Sequence, residues 1–375
     1  MIKEVEAFVE KIPENSRIAI FGAGFAGIGL KKYIDENRKD IKITFFIDSF
    51  VQGEKDGLKI IKTADIDDYK KEFDLLICAT RKDLFYLVTF FDYIDINYIY
   101  ITREIEQYFR LEKYIPLQKE AVKVFTEKED IDLYNMLWEA RLTTQYDDIA
   151  KYVLEKHNIG PFNLPQNYLT HYLEYINRDA IKTIIDAGFF NGCNSLVFHK
   201  YFKNHKKTYA FEPMYEKDKT EFFDKLIKKA DFCEIIPYCL YDKETKLNFA
   251  EQPSGMSGCK VLNNKEDLKS HQNLIEVDAI SADIYNSKYG LDKIDFIKMD
   301  IEGSEMNALK GAINTIREDR PQLAISIYHS LDDFVQIPVY LKEILDNYIF
   351  RLGHYNCNFA ETVLYAIPKE LYKEN

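Results

Sequence analysis

Two stretches of this chain carry the same pattern of hydrophobic and polar positions: an apolar run of β type, a glycine-bearing turn, then apolar residues at helical spacing. They span residues 17–27 and 182–192. Each predicts the opening of a parallel α/β unit, because strands buried on both faces read as unbroken apolar runs. Beside the first lie strand-like runs at 43–47 and 73–79 and a helical segment at 25–36. Beside the second, runs at 208–211, 234–240, 294–297, 323–328, 348–352 and 362–367 extend a larger sheet. Between the two, residues 104–177 turn helical, with Tyr134, Leu137 and Trp138 at helix-face spacing. These aromatics read as packing that covers sheet edges.

In the first stretch Gly22, Gly24 and Gly27 have the G-x-G-x-x-G spacing after a strand and before a helix, and Asp48 ends the next strand. That context fits a dinucleotide fingerprint: a tight turn, close backbone approach to a pyrophosphate, a helix N-terminus facing the anion, and an acid for ribose hydroxyls. The same glycines serve helix-on-strand packing, so a scaffold without ligand is the competing reading. The segment 46–61 resembles the amino-terminal Rossmann-like domain of bacterial sugar-modifying enzymes.

The second turn reads D-x-G-x-x-x-G, from Asp186 through Gly188 to Gly192, with Asn194 just beyond. Asp186 would repel a pyrophosphate but suits the cationic amino group of an amino-acid-bearing cofactor. Glu212, followed by Pro213, ends the next strand and is placed to accept hydrogen bonds from both hydroxyls of a ribose. The run at 234–240 would set its end, at Leu240, beside an adenine ring.

The segment 294–312 is the most distinctive. Lys298, Asp300 and Glu302 alternate, and if the strand persists they share one face at its carboxyl end, where open α/β sheets bind ligands. A plainer alternative pairs Lys298 with Asp300 and lets Glu302 cap the next helix. His329 ends the following strand, and an imidazole ordinarily titrates near neutrality. The remaining histidines have no comparable placement.

These pieces resemble the FkbM family of S-adenosylmethionine-dependent methyltransferases. The matching segments are IIDAGFFNG at 184–192, YAFEP at 209–213, IDFIKMDIEGSEMNALKGA at 294–312 and RPQLAISIYH at 320–329, within about residues 166–367. The chain departs from the family pattern at Phe189 and Phe190, and at Pro237, Tyr238 and Cys239. The resemblance implies a class I methyltransferase domain over 166–375 with a seven-stranded sheet, preceded by a smaller Rossmann-like α/β domain at 1–104 and a helical connector at 105–165.

It also implies S-adenosylmethionine as cofactor, bound by Asp186, Gly188, Gly192, Asn194, Glu212, Pro213, Leu240 and Asp300. The expected reaction is O-methylation of a sugar hydroxyl, in a surface polysaccharide or its nucleotide-linked precursor. A hydroxyl is a weak nucleophile, so a base must take its proton; Asp300 and His329 are the candidates, with Lys298 orienting Asp300 or the acceptor. A divalent ion on Asp300, Glu302 and His329 is an alternative that is not favoured. The 254–258 loop either closes over an acceptor or turns the chain, and Tyr168, His171 and Tyr172 share a helical face that the resemblance sets near the cofactor mouth.

Composition narrows the partners. Among 375 residues, 50 basic against 62 acidic leave a net charge of -12, which disfavours a phosphate-tracking nucleic-acid surface. No run approaches the roughly eighteen apolar residues of a membrane span and no signal peptide is evident, so a cytoplasmic location is expected. The cysteines at 78, 193, 233, 239, 259 and 357 lack zinc spacing and read as buried free thiols. A homo-oligomer is compatible with the sequence. Two rival functions are a nicotinamide-dependent oxidoreductase using the first glycine turn, and a non-catalytic partner that binds a sugar nucleotide.

Overall fold

The computed structural model describes residues 2–80, 84–143, 145–157, 168–215, 221–250, 260–261 and 274–373. The loop at 254–258 and Cys259 lie outside the described residues, as does the side chain of Tyr168. The chain divides into two compact units, one of residues 1–116 with 142–144 and one of 117–141 with 145–375. The helical stretch between the two sheets is shared between these units and makes no third body.

In the first unit the strands are β1 (Arg17–Phe21), β2 (Lys42–Asp48), β3 (Gly53–Lys55), β4 (Leu58–Lys62), β5 (Leu75–Cys78) and β6 (Tyr98–Tyr100), in sheet order β3-β4-β2-β1-β5-β6. All neighbours are parallel except β3 with β4. Chain order reverses between β1 and β5, so the crevice at their carboxyl ends is the switch point of this sheet. The Phe25–Asn37 helix seats closely on β1: a Cβ on Gly27 would stand 1.9 Å from the Gly22 carbonyl oxygen. A side chain there would push the helix away from the strand, which is the packing role of a third fingerprint glycine.

In the second unit the larger sheet holds β7 (Thr183–Ala187), β8 (Lys207–Phe211), β9 (Cys233–Ile236), β14 (Phe296–Met299), β15 (Gln322–Ser326), β16 (Tyr348–His354) and β17 (Thr362–Pro368). Their order is β9-β8-β7-β14-β15-β17-β16, with β17 antiparallel to both neighbours. The central strands β7, β14 and β15 are buried at every position. That both-sided burial explains their apolar runs, and it makes the two charged residues inside them, Asp186 and Lys298, conspicuous. The chain leaves β7 toward β8 on one side and returns at β14 on the other. The switch point therefore falls between β7 and β14, at the turn that follows each.

A second, four-stranded sheet is formed by β10 (Cys239–Leu240), β11 (Thr245–Ala250), β12 (Lys260–Val261) and β13 (Leu274–Ile280), in order β10-β13-β11-β12. The sequence reading ran β9 on to Leu240; that is corrected here. After Ile236 the chain passes Pro237, which cannot donate to a ladder, and Leu240 pairs instead with Ile280 on β13.

The aromatics of the helical stretch pack as expected. In the Lys128–Thr143 helix, Tyr134 and Leu137 are fully buried, and the Tyr134 ring stacks on Phe334 with centroids 4.5 Å apart. The described cysteines are all free, but only Cys78 and Cys239 of them are buried; Cys193 and Cys233 are half-buried and Cys357 is exposed, contrary to the reading of buried thiols throughout. Among the described residues no helix is long and apolar enough to cross a membrane.

Candidate active site

The turn after β7 and the turn after β14 meet at the switch point, and Gly188 is what lets them touch. Its φ is +77°, and a Cβ built on it would lie 1.8 Å from the Asp300 carbonyl oxygen. The contact is extended by the hydrogen bond from Asp300 N to the Ala187 carbonyl, 3.1 Å. Gly192, at φ +85°, precedes the Cys193–Tyr201 helix, in which Asn194 is half-buried.

Lys298 and Asp186 are the buried foundation of this turn. Neither side chain is more than 1% exposed, and Lys298 Nζ lies 3.2 Å from Asp186 Oδ1. The ammonium also donates to the carbonyls of Ala187, at 3.1 Å, and Gly188, at 2.7 Å. Asp186 Oδ2 accepts from Ser195 Oγ at 2.6 Å. A buried charge needs partners of this kind, although Asp186 Oδ1 has the ion pair alone and accepts no hydrogen bond. Two expectations are corrected by this arrangement. Asp186 is the internal counter-ion of Lys298, with no exposed oxygen for a cofactor amino group. Lys298 braces the glycine turn and lies close enough to Asp300 to help hold its carboxyl down, but Lys298, Asp300 and Glu302 do not alternate along one strand.

The reason is that β14 stops at Met299. Glu302 sits in the left-handed region at φ +56°, so the alternation that would align three charges ends one residue too early. The turn is closed from within by Glu305, which accepts from Ile301 N at 2.8 Å and Gly303 N at 2.9 Å. Glu305, not Glu302, therefore satisfies the backbone donors ahead of the Glu305–Gly311 helix.

Above this turn stands a polar cluster. The Asp300 carboxylate accepts from Tyr172 at 2.8 Å and from Tyr328 at 3.2 Å. His329, its side chain 8% exposed, places Nε2 3.3 Å from Asp300 Oδ1 and 3.5 Å from Glu302 Oε2, and Nδ1 2.9 Å from Glu305 Oε1. Glu361 lies 3.6 Å from His171, whose ring packs on Tyr172.

The electrostatics follow from this crowding. Burial lowers the imidazole of His329, but the contact with Glu305 and the charges of Asp300 and Glu302 outweigh it and lift it to about 9. At neutral pH His329 is thus a cation, and the expectation that it titrates in the useful range for a base is corrected. Burial raises the Asp300 carboxyl, yet Lys298, His329 and the Tyr172 hydroxyl hold it below the ordinary range. Glu302 is pushed up, chiefly by burial, and Glu361 reaches about 7 through burial and the charge of Asp300.

On the β8 side, Glu212 is half-buried and accepts from Phe190 N at 2.8 Å and Met214 N at 3.0 Å. It ties the strand end, with Pro213 beside it, to the glycine turn. Gly188, Gly192, Asn194, Glu212, Pro213 and Asp300 all belong to the turns and strand ends around this switch point, whereas Leu240 does not. Tyr328, Glu305 and Glu361 were missed by sequence reasoning. Tyr328 adjoins His329 and could have been flagged; Glu361 ends the hairpin loop between β16 and β17 and carries no local signal.

In the first unit a cavity of about 250 Å³ opens at the switch point, lined by Gly22, Gly24, Phe25, Asp48, Phe50 and Glu106 among others. Both Asp48 oxygens are engaged, accepting from Ala23, Phe50 and Val51 backbone N–H groups at 2.9, 2.8 and 3.0 Å. Asp48 holds its own loop to the glycine turn.

The larger sheet's strand order and its turn at the switch point define a methyltransferase-type α/β domain. Residues 186–354 match the family model for the Methyltransferase FkbM domain, and the protein is a methyltransferase. Among solved structures the chain is similar to an FkbM methyltransferase from Methylobacillus flagellatus, at 18% identity, 97% coverage of both chains and a TM-score of 0.50. It also matches Aeropyrum pernix fibrillarin in complex with S-adenosyl-L-methionine, at 10% identity over 53% of this chain and 72% of that one, with a TM-score of 0.34. No curated protein matches the chain.

Proposed function

We propose that residues 166–375 transfer a methyl group from S-adenosylmethionine to a hydroxyl on a sugar in a surface glycan or its nucleotide-linked precursor. The observation that carries the reading is the meeting of the Gly188 turn with the Asp300 backbone at the switch point of a sheet ordered β9-β8-β7-β14-β15-β17-β16. In such sheets ligands lie outside the carboxyl ends of the strands. The cofactor would rest against Gly188, Gly192 and Asn194, with Glu212 and Pro213 toward its ribose. When bound, it supplies an electrophilic methyl on a sulfonium.

The chain's own residues would orient the acceptor and take its proton. Asp300 and Glu302 are the most exposed of the cluster's carboxylates, at 25% and 38% of the side chain, with Glu361 at 20%. Either can accept the hydroxyl proton as the oxygen forms its bond to the methyl carbon. Tyr172 and Tyr328 fix the Asp300 carboxylate, and His329 balances the charge around it. Two measurements test the reading: calorimetric binding of S-adenosylhomocysteine, and transfer of labelled methyl from S-adenosylmethionine to a panel of sugars and nucleotide sugars. Binding without transfer to any hydroxyl acceptor would remove the sugar assignment, and no binding would remove the cofactor.

For the first unit, we propose a nucleotide moiety as the occupant of its cavity. The acidic lining by Asp48 and Glu106 and the exposed ring of Phe25, 49% accessible, suit a nucleoside face better than a phosphate.

A further inference from the structure

The charges around His329 do not balance. Three carboxylates, those of Asp300, Glu302 and Glu305, approach one imidazole at 3.3, 3.5 and 2.9 Å. The nearby ammonium of Lys298 is already paired with Asp186. Crowding like charges in a partly desolvated site is unfavourable unless a counter-charge joins them.

The geometry has room for such a charge. One ligand atom from each of Asp300, Glu305 and His329 can be chosen so that all lie within 4.8 Å of one another. Two oxygens bound to one cation at about 2.0–2.6 Å can stand no farther apart than roughly that distance. The His329 ring is buried, and neither of its nitrogens has an in-line hydrogen-bond partner despite the three carboxylates around it. A buried polar group left in that state has lost its water without replacement, which coordination would relieve.

From this we infer that Asp300, Glu305 and His329 hold a divalent cation of the magnesium or manganese class, a step that rests on the methyltransferase reading for its purpose but not for its test. Two oxygen ligands and one imidazole suit these hard ions. The surroundings also fit a metal site's outer layer: Tyr172 and Tyr328 donate to Asp300, and Ile301 and Gly303 N–H groups donate to Glu305. On the exposed side, toward Glu302, positions remain for water or an acceptor hydroxyl.

A hydroxyl bound there becomes more acidic. With Asp300 taken up as a ligand, its proton passes to Glu302. The oxygen lone pair forms the new bond to the methyl carbon, and the sulfur keeps the electron pair of the bond that breaks.

The test is titration of full-length, chelator-treated protein with Mn²⁺, read by the loss of the free-ion electron paramagnetic resonance signal, with S-adenosylhomocysteine binding measured on the same samples. One Mn²⁺ per chain is expected, with affinity reduced at least about tenfold in Asp300→Asn and in His329→Ala, and retained in Glu302→Gln. Should His329→Ala fail to fold, the partly exposed Asp300→Asn decides alone. Absence of Mn²⁺ binding, or binding indifferent to Asp300→Asn, overturns the inference and leaves His329 as a simple counter-ion. Mn²⁺ binding without S-adenosylhomocysteine binding would keep the cation site and overturn the methyltransferase reading of its role.

Discussion

Replacing Gly188 by alanine adds one methyl group at the point where the two turns of the larger sheet touch. The new Cβ would stand 1.8 Å from the Asp300 carbonyl oxygen, against about 3.3 Å for ordinary contact, so the turns must part by roughly 1.5 Å. The backbone φ of +77° adds strain of about 1–2 kcal/mol for a residue with a Cβ. Parting the turns also endangers the 2.7 Å hydrogen bond from Lys298 to the Gly188 carbonyl, and weakening a buried charged donor contributes about 1.5–3 kcal/mol more.

Together these give a loss of about 3–5 kcal/mol. Denaturant unfolding followed by circular dichroism measures it, and calorimetry with S-adenosylhomocysteine should show binding weakened at least tenfold. Gly24→Ala is the control: its Cβ would meet nothing within 4 Å and its φ is -84°, so stability should change by no more than about 0.5 kcal/mol. If Gly188→Ala unfolds like the wild type and binds as tightly, the meeting of the two turns has been misread.

Other outcomes follow from the same geometry. Lys298→Met should destabilise by about 3–5 kcal/mol, because it strands the fully buried Asp186 carboxylate; chemical unfolding reads this, and a smaller loss than about 1 kcal/mol would mean the pair is dispensable. Tyr172→Phe should leave S-adenosylhomocysteine affinity unchanged and lower kcat by about tenfold, since it removes a 2.8 Å donor to Asp300; equal loss in both would point to a collapsed site.

His354 offers a pH test. Burial first, then the charge of Arg141, lower its imidazole to about 3, against an ordinary value near 6.5. The unfolded chain therefore binds the extra proton between those values, and stability from this group is present above about pH 6.5 and lost as pH falls toward 3. Between pH 7 and pH 5 wild type should lose about 2 kcal/mol more than His354→Gln does. Taking the difference cancels the buried Asp130 and Asp333, both raised to about 6, which titrate in the opposite sense. Parallel pH profiles for the two proteins would refute the assignment.

Legibility in the sequence followed the chemistry of each signal. Continuous apolar runs announced β7, β14 and β15, since strands covered on both faces admit little else. The glycine at 188 was visible because a close approach excludes every side chain. What the sequence could not reveal was how charges pair across strands. Lys298 and Asp186 are 112 residues apart and meet only because β7 and β14 are neighbours in register, Lys298 opposite Asp186. The alternation of Lys298, Asp300 and Glu302 suggested a shared face, but strand length is decided by Glu305 binding two backbone N–H groups of the turn. Leu240 was misplaced because Pro237 breaks one apolar run into strands of two sheets. Glu361 joins the site only through the antiparallel return of β17.

The central claim is that the Gly188 turn and the strand end at Glu212 form an S-adenosylmethionine site in the second unit, with the Asp300 carboxylate acting on the acceptor. Its most direct test is isothermal titration of full-length protein with S-adenosylhomocysteine, repeated on Glu212→Ala and Asp300→Asn. The account predicts one site per chain, weakened in Glu212→Ala and retained in Asp300→Asn. No heat of binding with S-adenosylhomocysteine, alongside saturable binding of NAD, would contradict it.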